Sequence, residues 1–201
     1  MAEKLSIEIF RRKDAEDFTK SLADPESRTA VGSGAAMTAA VAAAYLYRAA
    51  ALCAKDKAED ERLAWLVRNS EILRTYMVNL IDEDVKCRGP LRRAISEGDP
   101  RKIEAAHQPA AAIANEIVNM MTQCLDLLAE LKASADGEAM VYVRAAAEFA
   151  MAAIRACMRV CIYWGDLSTE DTRRYVIRRE NELQLQEIDP LYKRVIDKLE
   201  A

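Results

Sequence analysis

Few residues in this 201-residue chain interrupt regular secondary structure. It has six glycines, five prolines and one histidine, and aromatic residues make up 6% of the sequence. β-Branched residues are also sparse, whereas alanine, leucine, glutamate, lysine and arginine dominate. Because the abundant residues favour the α-helix, the composition predicts an all-α fold. The length suits one domain over residues 1–201 with a core of its own.

Other scarce features exclude whole classes of function. The net charge is −4 with mixed signs, which predicts no nucleic-acid surface. The first residues do not have a signal-peptide pattern, because charges from Lys4 to Lys13 interrupt any apolar run. The five cysteines are odd in number and lack the spacing of a metal site, so we expect reduced thiols, a cytoplasmic protein and no metal.

The chain carries no charge between Arg28 and Arg48, within the stretch TAVGSGAAMTAAVAAAYLYRAAALC. This run begins like a loop and continues mostly as alanine, so it does not predict a transmembrane helix. It is not a Walker loop, because no Gly-Lys-Ser/Thr follows the glycines. Its alanines predict close helix packing in a tight core, or a self-association seam around a ligand. They stand at positions 35, 36, 39, 40, 42, 43, 44, 49, 50 and 51.

The pattern of breakers and apolar residues predicts an antiparallel bundle of about five long helices. We expect helices near 13–23, 34–56, 58–96, 100–133, 138–164, and from Ser168 as N-cap to the C-terminus. Pro109 should kink the fourth helix, and Pro190 should kink or break the last one.

The third helix contains the best catalytic candidate. Its apolar stripe passes through Leu63, Leu66, Leu73, Met77, Leu80 and Ile81. The centre of that stripe then falls on Asp84, whereas Asp82 should face solvent. A buried carboxylate is costly unless it is paired or used. Asp84 is therefore either functional or the partner of Arg88, four residues later.

Three arginines share one face of the otherwise apolar fifth helix, at Arg144, Arg155 and Arg159. This stripe is either a solvated face or an anion site, since guanidinium groups bind carboxylates through paired hydrogen bonds. His107 precedes Gln108-Pro109, at an expected irregularity, and is interpreted as structural. Cys157 and Cys161 are interpreted as core residues.

Four segments together resemble the formimidoyltetrahydrofolate cyclodeaminase and methenyltetrahydrofolate cyclohydrolase family. They are DFTKSLADPESRTAVGSGAAMTAAVAAA, LIDEDVKC, EAAHQPAAAIANEIV and YVRAAAEFAMAAIRACMRVCI. The first is similar to the family's Pro-Gly-Gly-Gly-Ser loop and alanine-rich helix. The second is similar to its acidic helix segment, and the last to the helix ending in Asn-Val-x-Ile-Asn.

This resemblance implies a homodimer that binds a tetrahydrofolate-type reduced pterin in a cleft at or near the dimer interface. It implies chemistry on a methenyl or formimino group, with Asp84 as acid/base or cation stabiliser. Backbone amides of Gly32, Ser33 and Gly34 would meet the ligand. Lys55 and Lys57, or the arginine stripe, would hold a glutamate tail.

The motifs also depart from the family pattern. Thr29-Ala30-Val31-Gly32-Ser33 replaces the glycine loop, and Cys87-Arg88 replaces an Ala-Phe pair. The family's Ser-Asp aligns with Glu138-Ala139, and its two asparagines align with Cys157 and Cys161. These changes leave two alternatives open: a non-catalytic pterin-binding or partner-binding subunit, or another reaction on a related one-carbon carrier that uses cysteine, Arg88 and Glu138.

Overall fold

The computed structural model describes residues 9–57, 59–168 and 170–196. A 3-10 turn at Phe10–Arg12 precedes six α-helices: α1 (Ala15–Ala23), α2 (Val31–Ala54), α3 (Glu61–Glu97), α4 (Pro100–Leu131), α5 (Gly137–Gly165) and α6 (Asp171–Ile196). No strand occurs in the ranges just given. The predicted all-α fold is confirmed.

Most predicted boundaries agree with the structure, because capping residues stand where the helices begin and end. Asp14, Asp60 and Asp99 accept hydrogen bonds from the first turns of α1, α3 and α4, and Gly98 ends α3 with a φ of 66°. The predicted start at position 58 and the predicted end of the last helix at 197–201 lie outside the described residues.

Two expectations about the helices were wrong. Helix α2 begins at Val31, so the Gly-Ser-Gly segment is its first turn and not a loop. Ser168 is not an N-cap, because α6 begins at Asp171 and the Ser168 hydroxyl instead accepts from the Glu170 amide at 3.3 Å. Helix α6 continues through Pro190, so of the predicted kink or break the break does not occur, and His107 lies within α4. The kinks expected at Pro109 and Pro190 stay predictions.

Neighbouring long helices run antiparallel. Contacts at the α2 C-terminal end, from Tyr45 to Tyr142 and from Arg48 to Glu138, lie at the start of α5. Arg62 of α3 meets Glu130 at the end of α4, and Arg178 of α6 meets Asp166 just after α5. Helices α2, α3, α4 and α5 thus form the core, and α6 packs across α4 and α5.

Alanine lets α2 lie close to both of its neighbours. Eight of the ten alanines counted above are buried, and Ala44 and Ala51 are half-buried. Of the described helices, α2 is the one long and apolar enough to cross a membrane, but half of that apolar window is buried inside the bundle. The tight-core interpretation therefore accounts for these alanines.

Asp82 is buried, although the sequence analysis predicted that it faces solvent. Its carboxylate accepts hydrogen bonds from the amides of Phe10 at 2.8 Å and Arg11 at 3.3 Å, and it lies 3.4 Å from the Arg11 guanidinium. The prediction failed because the periodicity of α3 shows one core-facing stripe. It does not show that the 3-10 turn covers a second face of the helix.

Candidate functional site

Asp84 is buried where α3 crosses the first turn of α2. Its exposed fraction is 1%, and its carboxylate accepts a hydrogen bond of 2.6 Å from the Ser33 hydroxyl. The predicted burial of Asp84 is therefore correct. The interaction holds a carboxylate beside the helix N-terminus, where free amides and the helix dipole favour negative charge.

Gly32 makes this close approach of the two helices possible. A Cβ atom at position 32 would lie 2.1 Å from Oδ1 of Asp84 and 2.6 Å from its carboxyl carbon. A real side chain therefore cannot occupy the position unless the Asp84 carboxyl group or the first turn of α2 moves. The glycine is required for packing, because its φ is not in the left-handed region.

The environment of Asp84 favours its protonated form. Burial raises the pKa of this carboxyl above the ordinary value, and the Ser33 hydrogen bond and the Arg88 charge offset part of that effect. Arg88 does not form the ion pair expected as the alternative. Its guanidinium donates to the Arg28 carbonyl oxygen at 3.4 Å, and burial lowers its own pKa.

A groove opens beside this contact, at the end of the bundle where α2 begins and α5 ends. Its volume is about 910 Å³, within the usual range for small-molecule sites. The walls are the end of α1, the 24–30 segment, the start of α2, the second half of α3, and α5. We call it the α2–α3–α5 groove. A recess of about 220 Å³ shares Arg88, Tyr163 and Trp164 with it and adds Gly32, Arg159 and Val160.

The lining combines aromatic rings with charged groups of both signs. Trp164 is buried, and Tyr163 is largely exposed. Arg88 and Arg92 contribute guanidinium groups, and Asp24 contributes a carboxylate. A planar ring can lie against the aromatic side chains while an anionic tail reaches the arginines. Asp84 itself lies behind Gly32 and lines neither the groove nor the recess.

The structure brings some predicted ligand-binding residues together and separates others. Gly32, Ser33, Gly34, Arg88 and Arg159 lie at or next to the groove. Lys55 and Lys57 follow the opposite end of α2, about 33 Å away at 1.5 Å per residue.

Three further predicted residues also lie away from the groove. Glu138 is in the first turn of α5 and pairs with Arg48 at 3.4 Å. Arg155 lies 3.7 Å from Asp189, and Arg144 lies about 22 Å along α5 from Arg159. The three arginines therefore do not form one anion site.

Sequence reasoning missed Asp24, Arg92, Tyr163 and Trp164 as lining residues. Trp164 offered the clearest signal, because the chain has two tryptophans and this one ends an apolar helix. Cys157 and Cys161 are buried as predicted, and the Cys161 thiol donates to Asn115 Oδ1 at 3.2 Å. Across the described ranges, no three histidine, cysteine or acidic residues cluster in a way that would hold a metal ion.

Comparisons with known proteins agree with this architecture. The model of the formiminotransferase-cyclodeaminase family matches residues 14–174. The chain belongs to that family. The family match includes the helices that form the groove, and the resemblance seen in the sequence motifs is confirmed.

A solved structure shows the same fold. The crystal structure of formiminotetrahydrofolate cyclodeaminase from Thermotoga maritima aligns with a TM-score of 0.82 over 92% of this chain and 94% of that one, at 18% sequence identity. No curated protein matches the chain.

Two glycines in the first turn of α2 provide a matched test of the Asp84 contact. Gly32→Ala should lower the free energy of unfolding by about 1–3 kcal/mol, because its methyl group overlaps the carboxylate. Gly34→Ala should leave stability unchanged or raise it by up to about 1 kcal/mol, because its Cβ meets only Leu22 at 3.7 Å and alanine favours the helix. Urea denaturation measures both; equal effects would contradict the packing role of Gly32.

The raised pKa of Asp84 makes stability depend on pH with a definite sign. A carboxyl with a higher pKa in the folded state binds its proton more tightly there. Its contribution to the free energy of unfolding therefore falls as pH rises above about 4. Asp84→Asn should keep the hydrogen bond from Ser33 and gain stability relative to the parent as pH rises. Denaturation from pH 4 to 8 measures the difference; a variant that weakens steadily with rising pH would contradict it.

Proposed function

We propose that this chain binds a reduced folate-type pterin in the α2–α3–α5 groove. The observation that supports this most strongly is the pairing of Tyr163 and Trp164 with Arg88 and Arg92 in one groove of sufficient volume. The aromatic rings suit a planar pterin, and the guanidinium groups suit the carboxylates of its glutamate. Membership of the formiminotransferase-cyclodeaminase family supports the same ligand class and a cytoplasmic role in one-carbon metabolism.

The reaction that fits this ligand is cyclohydrolase-like or cyclodeaminase-like chemistry on a methenyl or formimino group. Water adds to the bridging methenyl carbon, one carbon–nitrogen bond breaks, and a proton is released. In the formimino reaction, ring closure expels ammonia. Asp24 is the carboxylate on the groove and is placed to take up a proton. Asp84 holds Ser33 and the first turn of α2, so we assign it a positioning role and not contact with the ligand.

A specific observation also favours a second function, pterin binding without turnover. The methenyl group is cationic, and the groove places Arg88 beside the recess while Asp84 lies behind Gly32. A guanidinium group in that position repels a cationic intermediate and attracts an anionic tail. The same groove would then serve a binding subunit.

Changing one arginine tests the folate site. Arg88→Met should weaken binding of 5-formyltetrahydrofolate at least tenfold, about 1.4 kcal/mol, because a groove cation is lost while the unbranched apolar part of the side chain is kept. Arg93→Met on the same helix is the control, since Arg93 is exposed and does not line this groove. Isothermal titration calorimetry measures each dissociation constant.

An assay of the methenyl absorbance separates turnover from binding. Faster decay of the methenyl absorbance with the parent protein, reduced in Asp24→Asn, would support the enzyme. Binding without faster decay would support the non-catalytic function. Equal folate affinity in Arg88→Met and Arg93→Met, or no binding by the parent, would contradict the site itself.

We further propose that two copies pair across the outer face of α5. Val141, Phe149 and Tyr163 are exposed there, and smaller apolar residues continue the same strip. The strip meets the groove at Ala152 and Ala156, so a second copy on this face would close the open side of the groove. A two-fold, isologous contact is the simplest arrangement for identical chains.

Sedimentation velocity tests the dimer at micromolar concentration. The parent should sediment as a dimer, and Val141→Lys should shift it towards monomer, because a charge would then enter an apolar contact. Ile72→Lys is the control, since Ile72 is equally exposed but lies on α3. A parent that is monomeric would overturn the proposed interface.

A further inference from the structure

A second groove runs between α4 and α6, on the other side of α5 from Tyr163. Its volume is about 560 Å³. We call it the amide groove, because its polar lining consists mainly of His107, Gln108, Asn115, Asn119, Asn181 and Gln184. Ala111 and Ala112 keep its α4 wall shallow and apolar between these polar groups.

His107 is the unusual member of this lining. Its exposed fraction is 5%, and among the described residues its Nδ1 atom has no hydrogen-bond partner. The nearest acid, Glu104, lies 4.0 Å away and is already engaged by Arg173 and Ser168. Burial lowers the pKa of His107, so its ring is neutral near pH 7. An unpaired buried nitrogen is costly. Nδ1 lies beneath the surface of the groove, which His107 lines with the rest of its side chain.

The other polar groups show what kind of ligand would fit. Each carboxamide offers both a donor and an acceptor without net charge. Gln184 donates to Asn119 across the groove at 3.4 Å, so polar groups of the α4 and α6 walls face one another. Arg173 is neutralised by Glu104, and Glu180 adds a negative charge to the lining. Anions are therefore disfavoured, and neutral ligands with adjacent donors and acceptors are favoured.

The amide groove is separate from the proposed folate site. It shares no lining residue with the α2–α3–α5 groove. Much of its α6 wall, including Asn181 and Gln184, also lies beyond residues 14–174, which the family model matches.

We propose that the amide groove binds a neutral purine nucleoside. A purine base is planar and carries neighbouring donors and acceptors on its edge, the pattern that asparagine and glutamine side chains recognise in pairs. Its ring lies along the alanines of α4, its edge meets Asn115 and Asn119, and the nucleoside contacts the side chain of His107, which lines the groove.

The single histidine makes the experiment direct. In the full-length, ¹⁵N-labelled protein, the imidazole signals belong to His107 alone. Titration with adenosine or with guanosine should shift them, with a dissociation constant below about 1 mM, which corresponds to about 4.1 kcal/mol. Asn115→Ala/Asn119→Ala should raise that constant at least tenfold. Both residues are exposed on a helix, where alanine is well tolerated.

Two comparisons make the result decisive. Asn69→Ala on α3 lies outside the groove and should leave nucleoside affinity unchanged. Saturating 5-formyltetrahydrofolate should also leave it unchanged, because the two sites are separate. The proposal is overturned if neither nucleoside shifts the imidazole signals, if the double variant binds as well as the parent, or if the folate displaces the nucleoside. A protein that binds the nucleoside but not the folate would contradict only the proposed folate site.

Discussion

The contact between Asp84 and the first turn of α2 is the constraint on which the functional end of the molecule depends. Ser33 donates to the carboxylate at 2.6 Å, and Gly32 leaves room for it where any Cβ would overlap. A buried carboxyl with a raised pKa is expensive for a fold to maintain, and the hydrogen bond from Ser33 and the free amides of the helix start reduce that cost. This contact sets how closely the first turn of α2 approaches α3, and the buried alanines set the packing along the rest of the helix.

The position of α2 then fixes the neighbouring groove. Because α2 and α5 run antiparallel, the start of α2 lies beside Tyr163 and Trp164 at the end of α5. Arg88 lies one helical turn beyond Asp84 on α3, so the same geometry that buries the acid presents the arginine to the groove. The crossing of α2 and α3 therefore accounts both for the burial of Asp84 and for the position of Arg88 at the groove.

Sequence periodicity was a good guide to properties of single helices and a poor one to properties shared by several. It predicted the burial of Asp84, because the apolar stripe of α3 continues through that position. It failed for Asp82, because the 3-10 turn that covers this residue lies 70 positions earlier. Lys55 and Lys57 were predicted to lie at the ligand because family motifs give the order of residues along the chain. They do not give the distances between those residues in the fold. The groove draws its lining from four helices and a connecting segment, so no single periodic pattern could reveal Asp24 or Arg92.

In the proposed folate site, the charges around the groove favour the second proposal, pterin binding without turnover. Stabilising a cationic methenyl group requires negative charge at the ring, but Asp84 is shielded by Gly32 and its pKa is raised. The groove instead presents Arg88, whose charge weakens cation stabilisation and strengthens the hold on carboxylates. Asp24 lies in the connecting segment and not on a helix, so its carboxylate is less rigidly placed than a residue in a helix would be. Any turnover at this site must therefore overcome a repulsive charge that pterin binding alone would exploit.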